Sequence, residues 1–259
     1  MRRLPLIVTG LIFALALTGC ASVLDPTKDW TVEQFYAAAK EQLDNSNYEE
    51  AIKLYEQLQG RFPYGRYAEQ AQIEIAYAYY KYDEPALALA ACDRFLRQYP
   101  THPNADYVYY LKGITTFREK RSFANWLFGG DDDLHDRDPK GTRESYESFK
   151  ELVQRFPHSR YAEDARLRMN YLFEAQARYE ASVASYYYQR RAYVAAVNRT
   201  KYTLENYPRT PATEDALGIQ ALAYKKMGLD KLFEDTVRVL SRNFPNSRYL
   251  EEIKALGNS

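Results

Sequence analysis

Five times along the chain an aromatic residue stands directly before a proline: Phe62-Pro63, Tyr99-Pro100, Phe156-Pro157, Tyr207-Pro208 and Phe244-Pro245. Proline has no N–H and drives the residue before it out of the helical region, so each pair is a helix stop. The prolines are 37, 57, 51 and 37 residues apart, so two intervals are equal and the others are longer by 20 and 14. A stop recurring at this spacing restricts the fold to a tandem array of helical hairpins, for which the tetratricopeptide (TPR) period is about 34.

The residues after each stop repeat as well. Tyr-Gly-Arg66-Tyr67, His-Ser-Arg160-Tyr161 and Asn-Ser-Arg248-Tyr249 follow three of the prolines, while Pro103 and Pro211 take the place of the arginine in the other two copies. Ser159, Ser247 and Thr210 are candidate caps for the next helix, with Pro211 at a first helical position. Thr31 with Gln34 reads as a capping box that opens the first helix. Between stops the apolar residues keep a helical period, as in Phe35, Ala38 and Ala39, then Tyr48, Ala51, Tyr55 and Leu58. The expected fold is all-α, a TPR superhelical solenoid of about five hairpins over residues 31–259. The 20-residue surplus predicts an insertion loop at about 121–138, in which Phe123, Trp126, Leu127 and Phe128 seek burial beside a Gly129-Gly130 pair and an Asp run. That loop either folds back on its own hairpin or makes a partner or membrane-proximal contact. The 14-residue surplus falls where no Gly or Pro interrupts Arg160 to Arg191, which predicts one long helix shared by two repeats.

The first residues read as an address. Arg2 and Arg3 precede Leu4 to Leu17, 14 residues of which 11 are Leu, Ile, Val, Phe or Ala. That run is too short to span a bilayer, for which about 20 are needed, and it suits the apolar region of a secretory signal. Leu17-Thr18-Gly19-Cys20 then resembles a lipobox. Residues 1–19 are therefore expected to be a lipoprotein signal peptide, Cys20 the lipidated residue and 20–30 a tether. Ala21 after Cys20 implies sorting to the outer membrane. Loss of residues 1–19 leaves 33 Lys+Arg against 35 Asp+Glu, no basic excess of the kind that a nucleic-acid binder shows. Cys92 remains as a lone thiol, expected to be a small buried hydrophobe.

Catalytic patterns are missing. His102, His135 and His158 lack a second His or Cys at metal spacing. Asp136-x-Asp138-x-Lys140-Gly141 with Glu147 only approaches a calcium loop, and Asp138 and Pro139 are better read as the cap and first residue of a helix. The expectation is no enzyme, no metal and no cofactor. Tyrosine is the unusual residue, at 25 of 259. In clusters such as Tyr77, Tyr79, Tyr80 and Tyr186, Tyr187, Tyr188, successive residues turn by about 100°, so not all can face one core. They either fill hairpin seams or line a peptide-binding face. Arg190, Arg191 and Arg199 lie near the second cluster, as a solvated face or as donors for a partner's carboxylate.

Arg61-Phe62-Pro63-Tyr64-Gly65, Ala76-Tyr77-Ala78-Tyr79-Tyr80-Lys81, Pro100-Thr101-His102-Pro103-Asn104, Asp136-Arg137-Asp138-Pro139 and Val194-Ala195-Ala196-Val197-Asn198-Arg199 together carry a resemblance. The chain resembles the BamD family, TPR lipoproteins of the outer-membrane β-barrel assembly (BAM) machinery. The resemblance implies a scaffold on the periplasmic face of the outer membrane, held by a lipid anchor. It would bind the periplasmic domain of BamA, accessory BAM lipoproteins and unfolded β-barrel substrates. In BamA docking Arg199 would be the ionic contact, with Arg190, Arg191 and Tyr187 beside it. Phe62, Tyr64, Tyr67, Tyr77 and Tyr80 would form the substrate groove. The acidic Gly129 to Asp133 stretch departs from the family and puts accessory-lipoprotein contacts there in doubt. The alternative is another periplasmic TPR lipoprotein that scaffolds cell-wall or division proteins.

Overall fold

The computed structural model describes residues 27–117 and 139–257. Cys20, the signal region and the expected loop at 121–138, with Phe123, Trp126, Leu127, Phe128 and His135, lie outside the described residues. Among those described, eleven α-helices account for the regular structure: α1 (Val32–Asp44), α2 (Tyr48–Arg61), α3 (Arg66–Lys81), α4 (Pro85–Gln98), α5 (Ala105–Thr116), α6 (Pro139–Arg155), α7 (Ala162–Gln189), α8 (Tyr193–Asn206), α9 (Ala212–Lys226), α10 (Asp230–Asn243) and α11 (Arg248–Gly257). The fold is all-α and built of TPR-type hairpins. No described helix is long and apolar enough to cross a membrane.

Each aromatic-Pro pair ends a helix. Phe62, Tyr99, Tyr207 and Phe244 are C-caps at φ −126 to −136° and ψ 52 to 72°, outside the helical region as a following proline requires. Phe156 closes α6 in the same way, its N–H reaching the Leu152 carbonyl. The turns inside hairpins share another device. Ser46, Asp83, Arg191 and Gly228 have φ between 61 and 70°, and each lies two residues before the second helix of its hairpin. One left-handed residue is enough to reverse the chain there.

The capping predictions hold unevenly. At α1 the box forms, the Gln34 N–H donating to Thr31 Oγ1 at 3.3 Å and the Thr31 N–H to Gln34 Oε1 at 2.8 Å. Ser159 and Ser247 accept the N–H groups of Tyr161 and Tyr249. Thr210 does not cap: its hydroxyl donates backwards to the Tyr207 carbonyl, no side chain caps α9, and Pro211 sits one position before that helix.

The chain divides into two compact units, with the boundary inside α3 between Ala71 and Gln72. In the first unit α1 packs on α2 through Phe35, Ala39 and Leu43 against Ala51, Tyr55 and Leu58, all buried. Trp30 meets Phe35 edge-on at 5.2 Å. The Arg61 guanidinium lies 4.9 Å above the Phe35 ring and donates to the backbone carbonyls of Thr27 and Lys28, tying the start of the described chain to the hairpin.

In the second unit each helix from α4 to α10 packs on the next, and alternate helices α7, α9 and α11 also touch in series. Helix α7 runs unbroken for 28 residues, as the run without Gly or Pro predicts. It packs on α6, α8 and α9. Cys92 is fully buried, and that burial, with the Asp93 charge beside it, pushes its thiol up to about 12.

Candidate functional site

The repeated Arg-Tyr pairs are the joints between hairpins. In each, the arginine lies over the neighbouring tyrosine ring, at 4.9 Å for Arg66, 4.7 Å for Arg160 and 4.9 Å for Arg248, and donates to its hydroxyl. Each tyrosine then packs on an earlier helix. The Tyr67 ring meets Tyr36 at 5.3 Å, Tyr161 stacks on Tyr110 at 4.9 Å, and Tyr249 covers Gly218. Tyr36 and Gly218 stand 31 residues before their partners, and Tyr110 stands 51 before Tyr161, which is 31 once the 20-residue surplus is removed. The same joint is therefore used three times. At Gly218 the approach is so close that a Cβ would lie 2.1 Å from Tyr249 Cγ. Gly113 is filled likewise by the Phe149 ring, at 2.5 Å.

These joints use Tyr36, Tyr67, Tyr110, Tyr161 and Tyr249. Tyr55, Tyr171, Tyr207, Tyr224 and Tyr249 are buried, while Tyr64, Tyr82, Tyr186 and Tyr202 are exposed. Tyr110 donates its hydroxyl to Asp164 Oδ2 at 2.8 Å, and Tyr249 donates to Asp215 Oδ1 at 2.9 Å. Burial, aided by those carboxylates, pushes both phenols up to about 12. Tyr207 is pushed to about 12 mainly by burial, then by Tyr202. A phenol harder to ionise when folded keeps its full contribution to stability below pH 10 and loses it as pH rises from 10 through 12. The urea midpoint is therefore expected to vary little with these groups up to pH 10 and then to fall. Phenolate absorbance from these residues should appear together with unfolding. A midpoint unchanged to pH 12 would contradict this.

The five residues expected to form one substrate groove do not fall in one unit. Phe62, Tyr64 and Tyr67 belong to the first. Tyr64 is 88% exposed on the turn after α2, whereas Phe62 packs near Phe35 at 6.4 Å and Tyr67 against Tyr36. Tyr77 and Tyr80 belong to the second unit and are half-buried. Tyr80 lines a small cavity with Asp83, Pro85, Ile114 and Phe117.

The residues expected to meet BamA lie on the α7–α8 hairpin, Arg190 and Arg191 at its turn and Arg199 about two turns along α8. Arg199 Nη1 donates to Glu180 Oε2 at 2.6 Å, across the two helices. The Glu180 side chain is only 8% exposed, while that of Arg199 remains 39% exposed. Arg190 is exposed and lies 5.3 Å above the Tyr186 ring. Arg191 is exposed at the left-handed turn position. Tyr187 is half-buried on the core of α7, α8 and α9. Glu180 was not among the residues singled out by sequence, since nothing local distinguishes its carboxylate from the solvated ones on the same helix.

A family model described as YfiO, outer membrane lipoprotein, matches residues 28–240. The chain is 48% identical over 258 residues to the outer membrane protein assembly factor BamD of Neisseria meningitidis serogroup B, covering 97% of this chain and 95% of that one. The chain belongs to the BamD family. Its relatives include the Vibrio cholerae BamD, 39% identical over 236 residues, with 91% of this chain and 97% of the relative covered. Family membership thus extends through both units and past the α7–α8 corner. A solved structure of Pseudomonas aeruginosa pilF covers 86% of this chain and 96% of its own at 17% identity, with a TM-score of 0.30.

Proposed function

We propose that the chain is an outer-membrane protein assembly factor that works by binding alone, as a lipid-anchored scaffold of the BAM machinery. Cys20 would carry the anchor, the α7–α8 corner would hold the periplasmic domain of BamA, and the exposed Tyr64 with Tyr67 would meet unfolded β-barrel substrates, with Tyr77 and Tyr80 continuing that function on the second unit. Accessory BAM lipoproteins remain among its expected partners. The Neisseria meningitidis and Vibrio cholerae relatives, matched over 95% and 97% of their own length and named as outer membrane protein assembly factors, favour this over a scaffold for cell-wall or division proteins.

The observation that carries the partner reading is the half-exposed Arg199 backed by a buried carboxylate. A guanidinium has five donors in a planar fork. Glu180 fixes one of them and so orients the fork without covering it, which preorganises the side chain for a second carboxylate from a partner. Arg191 adds a second exposed guanidinium at the turn of the same hairpin, in a left-handed position that Ser46 and Asp83 also hold in theirs.

Arg191→Gly separates binding from folding. Its expected stability lies within about 1 kcal/mol of the parent, because glycine accepts the turn conformation. Recovery of BamA after gentle detergent extraction is expected to fall several-fold. Undiminished BamA recovery would remove Arg191 from the interface. Cell-wall enzymes as the only co-purifying proteins would overturn the whole reading.

A further inference from the structure

The start of the described chain is held at one end of the first hairpin. A tight turn joins α1 to α2, so the beginning of α1, the end of α2 and the turn into α3 all lie at the opposite end from that turn. There Arg61 donates from Nη1 to the carbonyls of Thr27 and Lys28, and from Nη2 to Thr27 Oγ1 at 3.2 Å. With the guanidinium also seated over the Phe35 ring, these bonds make a clasp that fixes where the preceding chain departs. Thr27 is buried within it. Tyr64 stands at the same end, on the turn after α2, and is 88% exposed.

Thr27 comes seven residues after Cys20, and a chain of that length reaches at most about 25 Å. A flexible chain of seven residues spans about 15 Å on average. The hairpin, with helices of 13 and 14 residues, is about 20 Å long. An anchored Cys20 therefore keeps the clasped end beside the bilayer and leaves the far turn, at Asn45 to Asn47, more distant by the length of the hairpin. So short a link also gives the clasped end an effective concentration at the lipid in the millimolar range, so that one weak contact is enough to settle it there. A tyrosine supplies such a contact, because its ring enters the headgroup layer while its hydroxyl stays wet. Charge does not supply it, since Lys28, Arg61 and Arg66 at this end are matched by Asp29, Glu33 and Glu69.

We propose that the Tyr64 end of the first unit is a membrane-facing rim, with the Tyr64 ring at headgroup level and the α1–α2 hairpin standing away from the bilayer. What it meets is a lipid surface, and neutral lipid suffices because the contact is made by a ring. The inference rests on the reading of Cys20 as the anchored residue and adds an orientation to it. The tyrosine expected to meet unfolded barrel strands is thereby offered at the surface that such strands enter.

The test uses the mature lipidated chain in vesicles of phosphatidylcholine brominated high on its acyl chains, which quenches tryptophan only at close range. Tyr64→Trp keeps an interfacial ring and adds its emission to that of Trp30 and Trp126. Asn45→Trp, at an exposed position of the far turn, is the control. Relative to the parent, the emission added at position 64 is expected to fall by roughly half or more, and that added at position 45 to stay unchanged. Phosphatidylglycerol mixed into the vesicles should alter neither. A Gly/Ser insert after Pro26 that makes the tether fivefold longer lowers the effective concentration about tenfold, and should weaken the quenching at 64. Arg61→Met, which opens the clasp, should do the same, and the insert decides the matter if that variant fails to fold. Vesicle flotation separates this inference from the one beneath it. A chain that does not float would overturn the anchor and the rim together. A chain that floats but is quenched equally at 64 and 45, is quenched at 64 only with phosphatidylglycerol present, or keeps its quenching with the long tether would overturn the rim alone.

Discussion

Gly218→Ala is expected to destabilise the C-terminal end of the second unit by about 1–3 kcal/mol, the usual penalty for forcing an extra carbon into a filled core. The new Cβ would fall 2.1 Å from Tyr249 Cγ and 2.3 Å from Cδ2. Turning the ring about its own axis leaves Cγ where it is, and swinging the whole side chain to another rotamer would break the bond from its hydroxyl to Asp215. Relief must come from a shift of α11, which rests on α9 through this contact. In an open helix, alanine would be better than glycine by up to about 1 kcal/mol, so even an unchanged stability would show strain. Urea unfolding measures the loss, and faster trypsin cleavage at Lys254 locates it. Adding Tyr249→Ala to Gly218→Ala should recover part of the loss relative to the sum of the two single changes. A Gly218→Ala protein more stable than the parent would mean that the joint is looser than described.

Arg199→Glu is expected to cost about 2–4 kcal/mol of stability, besides any effect on binding. It removes the guanidinium from Glu180 and puts a second carboxylate in its place. Breaking a fully enclosed ion pair costs about 3–5 kcal/mol, and the value is lower here because the Arg199 side chain stays 39% exposed and partly screened. The pair Glu180→Gln with Arg199→Gln leaves two neutral amides that can still bond and should retain most of the stability. Thermal melts of the three proteins test this. A loss under about 0.5 kcal/mol for Arg199→Glu would show that the bridge does not hold α8 to α7. The practical consequence is that weaker BamA capture by Arg199→Glu does not by itself mark an interface, whereas weaker capture by the neutral pair, still folded, would.

The parts of this fold that were legible in the sequence depend on local chemistry. Proline cannot continue a helix, so Phe62, Tyr99, Phe156, Tyr207 and Phe244 mark helix ends whatever surrounds them. The absence of Gly and Pro between Arg160 and Arg191 likewise foretells α7. Thr210 misled because a hydroxyl after a stop can cap forwards or bond backwards, and only the path of the chain decides. The Arg-Tyr repeat was plain to see, but its purpose was not. Tyr161 and Tyr249 act on residues 51 and 31 positions away, and a single sequence holds no record of which helices touch. Glu180 was hidden for the same reason, since it looks like an ordinary charge on a polar helix until it proves buried against Arg199. The tyrosine clusters allowed two readings, seam and surface, and the chain uses both.

A consequence follows from the length of α7. At 1.5 Å per residue its 28 residues form a rod of about 42 Å. Arrays of short hairpins melt approximately as chains of neighbours, one segment giving way while the next survives. Here a single rod belongs to the hairpins on both sides, so partial melting has no seam to halt at between those two hairpins. Amide exchange along α6, α7 and α8 should accordingly report one shared opening free energy, and a pull applied at one end of the rod would reach the other without a hinge to absorb it.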